Sequence, residues 1–311
     1  MRASGPVYLI VNPKAGRGRA RVPAAVVRAA LEAAQIPVVV HEPSSAAQTV
    51  RQAADAWAAD ARAVVACGGD GTVNQVLQGL MESATGGERP VLGLVPAGTG
   101  NDNARSLGVP VEPQGAAQAL VAGLEAHRSR VVDVARVRSD EHAAWFIGVL
   151  STGFDSSVNE RANRRQWPSG RAKYILAMLA ELGAFQPSEY HVTVDGQPAH
   201  GPGMLVAVGN GGNYGGGMRI CPTARVDDGQ LDLTWVGPVS KPAFLRVFPR
   251  VFAGTHLDHP HVRALRGTQV WIDAPDQVAY ADGERIGALP VQIELVANAL
   301  EVVGASNAVA A

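Results

Sequence analysis

Short apolar runs alternate with longer segments of helical periodicity over about the first 134 residues. The apolar runs are 7–11, 37–41, 63–67 and 91–95, and the helical segments are 19–34, 46–59 and two that begin at Thr72 and Asn101. Regular alternation of strand and helix predicts a parallel sheet wrapped by helices. The first domain is therefore expected to be an α/β domain with a parallel sheet.

After the run RVVDVARV (130–137) the pattern changes to short strand-like runs joined by turns. Asp-Gly pairs at 195–196 and 282–283 lie between alternating runs and predict hairpins. Two segments with a helical pattern, at about 171–185 and 241–253, lie between these strand-like runs. The pattern predicts a C-terminal, β-rich and mostly antiparallel domain. We expect domains at 1–134 and 135–296, with the tail from about 297 to 311 packing back onto the first.

Charge and composition restrict the classes of protein that fit. The 311 residues carry 27 basic and 28 acidic side chains, so no overall positive field favours a nucleic-acid partner. No stretch reaches the roughly 18 apolar residues that span a bilayer. The two cysteines, Cys67 and Cys221, are far apart and form no metal-ligand spacing. These features predict a cytoplasmic protein with reduced, buried thiols.

Three glycine-containing loops follow predicted strands. Their sequences are VNPKAGRGRA (11–20), CGGDGT (67–72) and VPAGTGND (95–102). The carboxyl ends of parallel strands meet at one edge of the sheet, where open α/β folds bind ligands. Glycine lets main-chain N–H groups approach a phosphate closely. The three loops together predict a phosphate site, whereas each loop alone could be only a tight turn.

Two carboxylates lie within these loops. Asp70 and Asp102 would repel phosphate oxygens unless a divalent cation lay between them, and Mg²⁺ bound through carboxylates and water is the usual arrangement. Their positions before helical segments also suit helix N-caps. Both interpretations remain open from the sequence alone.

The ordered set of motifs resembles the diacylglycerol kinase catalytic-domain family. The resemblance rests on NPKAGRG, GGDGTVNQVLQGL, PAGTGNDNARSLGVP, GFD (153–155), the segment 209–233 and YADGE (280–284). It covers nearly the whole chain and implies that ATP binds in a cleft between the two domains. It also implies transfer of a phosphoryl group to a lipid hydroxyl, with diacylglycerol or a related lipid as acceptor at the membrane surface.

The resemblance also implies roles for individual residues. The nucleotide-binding set is Asn12, Lys14, Gly68, Gly69, Gly71, Thr72 and Thr99. Asp70, Asp102 and Asp133 resemble the acidic network that holds the catalytic magnesium through water. Glu284 matches the carboxylate of the family's DGE motif and is a candidate general base, with Asp70 as the rival.

A second magnesium is implied for the loop TARVDDGQLD (223–232). By the same resemblance, Asp228 and the main-chain carbonyls of Arg225 and Gln230 would bind it. A plain Asp-Gly turn explains the same sequence equally well. Elsewhere the chain departs from the family, with His41 where relatives often place a threonine near the adenine, so the sequence leaves the choice of nucleoside triphosphate open.

Two further segments bear on how the protein would reach a lipid. The basic segment 161–173 contains a tryptophan and suits peripheral docking on anionic lipid, although a solvated loop fits it slightly better. HLDHPH (256–261) is expected to be a surface loop.

The alternatives to a lipid kinase are a kinase similar to NAD kinases, which share GGDGT, and a non-catalytic lipid or nucleotide sensor. The sequence leaves the lipid and the oligomeric state open, with a homodimer among the states allowed.

Overall fold

The computed structural model describes residues 5–18, 20–85, 87–164 and 185–306. The chain divides into two compact units, Met1–Val134 with Ala297–Ala311, and Ala135–Val296. The boundaries between them fall within two strands, Ser129–Arg138 and Val291–Val303. The basic segment 161–173 lies mostly, and the predicted helix 171–185 almost wholly, outside the described residues.

The first unit is an α/β unit with a parallel sheet. Its strands are β1 (Val7–Val11), β2 (Val38–His41), β3 (Ala63–Gly68) and β4 (Val91–Pro96), with the start of β5 (Ser129–Arg138) and the end of β16 (Val291–Val303). Its helices are α1 (Ala15–Gly18), α2 (Arg21–Ala33), α3 (Ala46–Ala58), α4 (Asp70–Ser83), α5 (Asp102–Leu107) and α6 (Pro113–Glu125). The four N-terminal strands run in the order β2-β1-β3-β4, and β16 pairs parallel with β4.

Burial explains why these runs form a central sheet. Every residue of β3 and of β4 is buried, as expected for strands covered by helices on both faces. One face of α2 and one face of α3 pack on the sheet, and these faces supply the buried residues Val27, Leu31, Ala53 and Trp57. The sheet therefore holds the loops that follow β1, β3 and β4 on a rigid base.

The second unit contains antiparallel strands in two layers. Its remaining strands are β6 (Ala143–Phe146), β7 (Val149–Gly153), β8 (Ser188–Val194), β9 (Gln197–Gly203), β10 (Leu205–Gly209), β11 (Leu231–Val236), β12 (Val262–Gly267), β13 (Gln269–Asp273), β14 (Val278–Ala281) and β15 (Glu284–Ala288). A six-stranded sheet runs in the order β12-β11-β10-β7-β14-β15. The strands β16, β13, β8 and β9 pair in a second layer.

A core fills the space between these layers. It includes Val192 and Ile272 from one layer and Val208 and Leu233 from the other. The two helices described in this unit are α7 (Phe154–Arg164) and α8 (Lys241–Ala253). Among the helices described here, none combines the length and the hydropathy needed to span a bilayer.

The fold class predicted from the sequence is confirmed, including both Asp-Gly hairpins. Four elements had no counterpart in the prediction: α1, α6, α7 and β12. Cys67 and Cys221 are free and buried, and burial raises the pKa of each thiol to about 12. His256 is also buried, so the expectation of a surface loop at 256–261 is wrong at its first residue.

Candidate active site

The loops after β1 and β3 are joined by hydrogen bonds. The Asn12 amide donates from Nδ2 to Oγ1 of Thr72 over 3.1 Å, and its main-chain N–H donates to the Cys67 carbonyl over 3.0 Å. The Lys14 N–H in turn donates to Oδ1 of Asn12 over 3.0 Å. Three of the predicted nucleotide-binding residues, Asn12, Lys14 and Thr72, therefore belong to one hydrogen-bonded network that joins the two loops.

Glycine allows the loops after β3 and β4 to touch. A Cβ placed on Gly98 would lie 2.6 Å from Cα of Gly69, closer than real side chains approach main-chain atoms. The Ala97 N–H donates to the Gly68 carbonyl over 2.8 Å beside this contact. The glycines thus have a packing role, because a side chain at Gly98 would separate the two loops. Thr99 in the third loop is exposed, whereas Thr72 is buried.

Asp70 connects the starts of two helices. It is the first residue of α4, and its Oδ1 accepts a hydrogen bond from the Asn103 N–H over 3.0 Å. Gly69 occupies the N-cap of α4 without a side-chain bond. Asp102 is the first residue of α5, with Asn101 as its N-cap. The interpretation of Asp70 and Asp102 as the N-caps of their own helices is therefore wrong.

The two carboxylates converge beside Gly100. The point that a Cβ on Gly100 would occupy lies 2.8 Å from Oδ2 of Asp70 and 3.5 Å from Oδ2 of Asp102. The Asp102 carboxylate also pairs with Arg105, with Oδ1 and Nη1 3.3 Å apart. Carboxylate oxygens are the ligands that Mg²⁺ prefers. The arrangement of Asp70 and Asp102 fits a magnesium ion held partly through water.

Asp133 is buried in the same unit. Its Oδ1 accepts a hydrogen bond from the main-chain N–H of Asn298 over 2.7 Å, which ties the start of β5 to the end of β16. Within the described ranges, no group of three or more His, Cys, Asp or Glu side chains is placed to hold a metal ion directly. A water-mediated role for Asp133 in the acidic network stays a prediction.

In the second unit, Glu284 begins β15 and its side chain is exposed. Among the described residues, no hydrogen bond or ion pair engages the Glu284 carboxylate, whereas the next residue, Arg285, pairs with Glu141 over 2.8 Å. The main-chain hydrogen bond that Ala288 donates to Glu141, together with this pairing, holds the pKa of Glu141 below its usual value. Glu284 is thus a carboxylate available to a ligand on a fixed hairpin.

Asp282 lies two residues before Glu284 and was not predicted from the sequence to belong to the site. Its carboxylate accepts hydrogen bonds from the main-chain N–H groups of Ile147, Gly148 and Val149, at 3.0, 3.0 and 3.1 Å. The residue has a positive φ of 48°, as the hairpin turn requires. Asp282 therefore fixes the turn that carries Glu284 against β7, and the Asp-Gly pair is the only sequence signal for it.

The predicted structural magnesium site has other partners in the structure. Oδ1 of Asp228 accepts from the Gln230 N–H over 3.2 Å, and Oδ2 pairs with Arg266. Arg266 also lies 3.3 Å from the buried Asp232 carboxylate. The Arg225 side chain pairs with Asp227 over 3.4 Å. The cation described at Asp228 is therefore a guanidinium, and a magnesium ion held with the Arg225 and Gln230 carbonyls stays a prediction.

An apolar pocket with a buried carboxylate lies in the second unit. Its walls are predominantly aliphatic and aromatic: Phe154, Met204, Leu205, Tyr214, Ile220, Val236, Val239, Phe244, Val247, Phe248, Val251 and Val262, with Asp155, His256 and His259. Oδ2 of Asp155 accepts from the Ser151 hydroxyl over 2.5 Å, and Oδ1 lies 3.4 Å from the Tyr214 hydroxyl. Burial lowers the pKa of His256 and favours its neutral form. The GFD motif gave the only sequence signal for Asp155.

His41 ends β2 at the edge of the parallel sheet. Its ring stacks on Tyr8, with ring centroids 5.7 Å apart. Its Nε2 is buried and has no hydrogen-bond partner in the described part of the chain. The aromatic contact with Tyr8 therefore fixes the orientation of the His41 ring.

Comparison with known proteins identifies the family. Residues 6–137 match the diacylglycerol kinase catalytic domain, and residues 148–304 match the YegS C-terminal NAD kinase beta sandwich-like domain. The chain is 38% identical to a diacylglycerol kinase of Mycobacterium tuberculosis strain H37Rv, over 96% of this chain and 94% of that one. It is 28% identical to the diacylglycerol kinase of Bacillus subtilis, over 91% and 90% of the two chains.

The fold agrees with a solved structure. A diacylglycerol kinase from Bacillus anthracis str. Sterne superimposes with a TM-score of 0.74 at 24% identity, covering 98% of each chain. The catalytic-domain match spans the three glycine-containing loops, and the sandwich match spans Glu284 and the apolar pocket. The chain therefore belongs to the diacylglycerol kinase catalytic-domain family and is a kinase with an alcohol acceptor.

Proposed function

We propose that this chain transfers the γ-phosphoryl group of ATP to the hydroxyl group of a lipid, with diacylglycerol as the preferred acceptor. The observation that carries the proposal is the convergence of Asp70 and Asp102 beside Gly100, where the loops after β3 and β4 pack against each other at Gly69 and Gly98. Phosphoryl transfer is mainly positioning and charge stabilisation, and this arrangement supplies both.

The three loops of the first unit bind the triphosphate in this proposal. Main-chain N–H groups of Gly68, Gly69 and Gly71 approach the phosphates, and α4 begins beside them with its positive dipole end. Exposed Thr99 and Lys14 add a hydroxyl and a cation. Buried Thr72 acts differently, because its hydroxyl accepts from Asn12 and so fixes the first loop against the second.

Asp70 and Asp102 would hold the catalytic magnesium, with Asp133 acting through water. The ion, when bound, neutralises charge on the phosphate oxygens and orients the transferred group. Asp70 has a second task, since its Oδ1 fixes the start of α5 while Oδ2 faces Gly100. Contacts with Asn103 and Arg105 thus orient the two carboxylates.

Glu284 is proposed to take the proton of the acceptor hydroxyl. An exposed carboxylate without a partner among the described residues keeps its oxygens available for a proton, and Asp282 fixes the turn that carries it. Asp70 is the rival base, but one of its oxygens already accepts a main-chain hydrogen bond. This difference favours Glu284.

The apolar pocket supports a lipid acceptor. Its walls are almost entirely hydrocarbon, which suits an acyl chain, and Asp155 supplies a polar group where a glycerol or amino-alcohol head could be positioned. Apolar pockets with a few convergent polar groups are typical ligand sites. A soluble dinucleotide would leave most of these walls without polar contacts, so the pocket favours the lipid over NAD.

Radiolabelled ATP tests the proposal. The purified protein is incubated with Mg²⁺ and separately with diacylglycerol, a sphingoid base, ceramide, phosphatidylglycerol and NAD, and the labelled products are separated. We expect label on diacylglycerol, loss of transfer on chelation and recovery with added Mg²⁺. Labelled NAD would establish the NAD kinase alternative, and no labelled product from any acceptor would support the non-catalytic sensor.

A further inference from the structure

Helix α8 has a composition that is unusual for a helix of a protein core. Its sequence, KPAFLRVFPRVFA, contains three cationic residues, no acidic residue and eight residues that are alanine, valine, leucine or phenylalanine. Only Val251 is buried. A helix this apolar normally buries a broad stripe, so much of its hydrocarbon surface remains outside the protein.

The helix presents two different faces. Phe244, Val247, Phe248 and Val251 recur at spacings of three and four and line the apolar pocket. Outside this stripe, Leu245 and Phe252 lie seven residues apart, two turns along the helix, and are 49% and 40% exposed. Arg246 and Arg250 are four residues apart and neighbour each other on the exposed side.

We propose that the outer face of α8 docks on an anionic lipid surface. The Leu245 and Phe252 side chains would enter the boundary between headgroups and acyl chains, while Arg246 and Arg250 contact phosphate groups. Helix α8 then lies between the bilayer and the pocket that its inner stripe lines. The inference deepens the proposed function, and the part that concerns lipid entry rests on it.

Charge on the helix favours lipid over a protein partner. A helix with three cations and no acidic residue matches a uniformly anionic surface, and the attraction weakens with salt. The pocket on the inner side of the helix is also apolar, so it suits the acyl chain of a lipid taken from that surface.

Vesicle sedimentation tests the docking directly. The full chain is mixed with vesicles of phosphatidylcholine alone or with about 30% phosphatidylglycerol, a composition that gives a clear anionic surface, and bound protein is measured. One variant combines Leu245→Ser with Phe252→Ser, and another combines Arg246→Gln with Arg250→Gln. Matched controls on exposed positions of the first unit are Val22→Ser with Val111→Ser, and Arg51→Gln with Arg128→Gln.

We expect the unmodified chain to bind anionic vesicles and to be released by high salt. Each α8 variant should lose about tenfold or more in apparent affinity, and each control variant should bind normally. Equal binding by the unmodified chain and both α8 variants, or no binding by the unmodified chain, would overturn the proposal. Binding only to a protein partner, unaffected by vesicles, would overturn it in favour of a protein interface.

Activity separates this inference from the proposed function. A short-chain diacylglycerol dissolved as monomers needs no bilayer, so its phosphorylation by the α8 variants should be unchanged. Phosphorylation of long-chain diacylglycerol in vesicles should fall with vesicle binding. Failure of the proposed function would appear as no transfer to either substrate, whereas vesicle binding would still report on α8. Circular dichroism, and the single variant Phe252→Ser if a double variant unfolds, exclude misfolding as the cause.

Discussion

The carboxylate of Asp70, at the first residue of α4, accepts a hydrogen bond from the main-chain N–H of Asn103, at the second residue of α5, with Oδ1 and N 3.0 Å apart. The bond satisfies a donor that a helix start leaves unpaired. The second oxygen of Asp70 is directed toward Gly100 and Asp102. In Asp70, Oδ1 thus has a structural role and Oδ2 is the candidate for a catalytic role.

Changing Asp70 to asparagine should separate these two roles. The amide oxygen of Asp70→Asn can still accept from Asn103, so the fold and the melting temperature should change little. Lipid phosphorylation should fall by about a hundredfold, because the charge beside Asp102 is lost. Asp70→Ala should in addition lose about 1 kcal/mol of stability with the hydrogen bond. Asp55→Asn on the exposed face of α3 is the control, and near-native turnover of Asp70→Asn would remove Asp70 from the mechanism.

Replacing Glu284 by glutamine tests the general base. The change keeps the shape of an exposed side chain that has no described partner, so folding and nucleotide binding should be preserved. Turnover on diacylglycerol should decrease by about a hundredfold or more, the usual scale for loss of a base. Glu294→Gln changes another carboxylate of the same unit and should leave turnover unchanged. If Glu284→Gln retains turnover while Asp70→Asn loses it, Asp70 is the base.

Adding a methyl group at Gly98 should disturb the contact between two phosphate loops. Gly98→Ala would place Cβ 2.6 Å from Cα of Gly69, and main chain cannot move away as easily as a flexible side chain. We expect a loss of about 1–3 kcal/mol in unfolding free energy and weaker binding of a fluorescent ATP analogue. Gly115→Ala, where the nearest atom is 3.2 Å away on the Pro110 side chain, should bind the analogue normally. Equal binding by both variants would show that the loop contact is not needed for the nucleotide.

Magnesium and Arg266 should compete for Asp228. If the predicted structural ion binds this loop, Mg²⁺ raises the melting temperature of the unmodified chain, and the increase is smaller in Asp228→Asn, which keeps only the proposed site at Asp70 and Asp102. Arg266→Gln removes the guanidinium that pairs with Asp228, so it should make the melting temperature more sensitive to Mg²⁺. The titration is run without nucleotide, which excludes an effect of metal-bound ATP. An equal response of all three proteins would show that no ion binds at Asp228.

Acid should weaken the contribution of Asp195 to stability. Main-chain N–H groups of Gln269 and Thr268 donate to its carboxylate over 2.8 and 3.0 Å and lower its pKa. A lowered folded-state pKa gives stability that is present above the unfolded value of about 3.9 and is lost as the pH falls through the folded value. At pH 7, Asp195→Asn should melt about 1–3 °C lower, since the group is exposed.

The difference between the unmodified chain and Asp195→Asn should shrink as the pH falls from about 5 toward 3. Asp276→Asn is a matched control, because Asp276 also has a positive φ in a turn and asparagine tolerates that conformation. A difference that is constant with pH would show that the ionised carboxylate contributes nothing. Thermal unfolding followed by circular dichroism at each pH gives the measurement.

The sequence predicted the parts of the fold that depend on local pattern. The parallel sheet followed from regularly spaced apolar runs, and the hairpins followed from Asp195-Gly196 and Asp282-Gly283. Strand β12 was missed because VRALRG carries two arginines and buries only its last residue, so it lacks the alternation of a half-buried strand. Helix α7 was missed because its segment is polar apart from Phe154, Val158 and an alanine.

The candidate site was predicted only as a set of neighbouring loops. The partner of Asp70 could not be read from the sequence, because Asn103 is 33 residues away and the bond depends on how closely the Gly69 and Gly98 loops pack. The Arg266 partner of Asp228 likewise depends on the pairing of β11 with β12. Such contacts depend on tertiary packing between distant segments, so they cannot be predicted from composition or from the periodicity of one segment.

The pairing of β16 with β4 has a consequence for synthesis on the ribosome. Glu301, Val302 and Val303 lie opposite Val91, Leu92 and Gly93, so the sheet of the first unit acquires this strand only when residue 303 has emerged. The second unit is continuous between 135 and 296 and can form earlier. The usual order, in which the N-terminal domain of a nascent chain folds first, is therefore reversed for completion of this sheet. Until then the edge of β4 lacks its partner, and chains that stall before residue 301 expose a strand edge on which other nascent chains can pair.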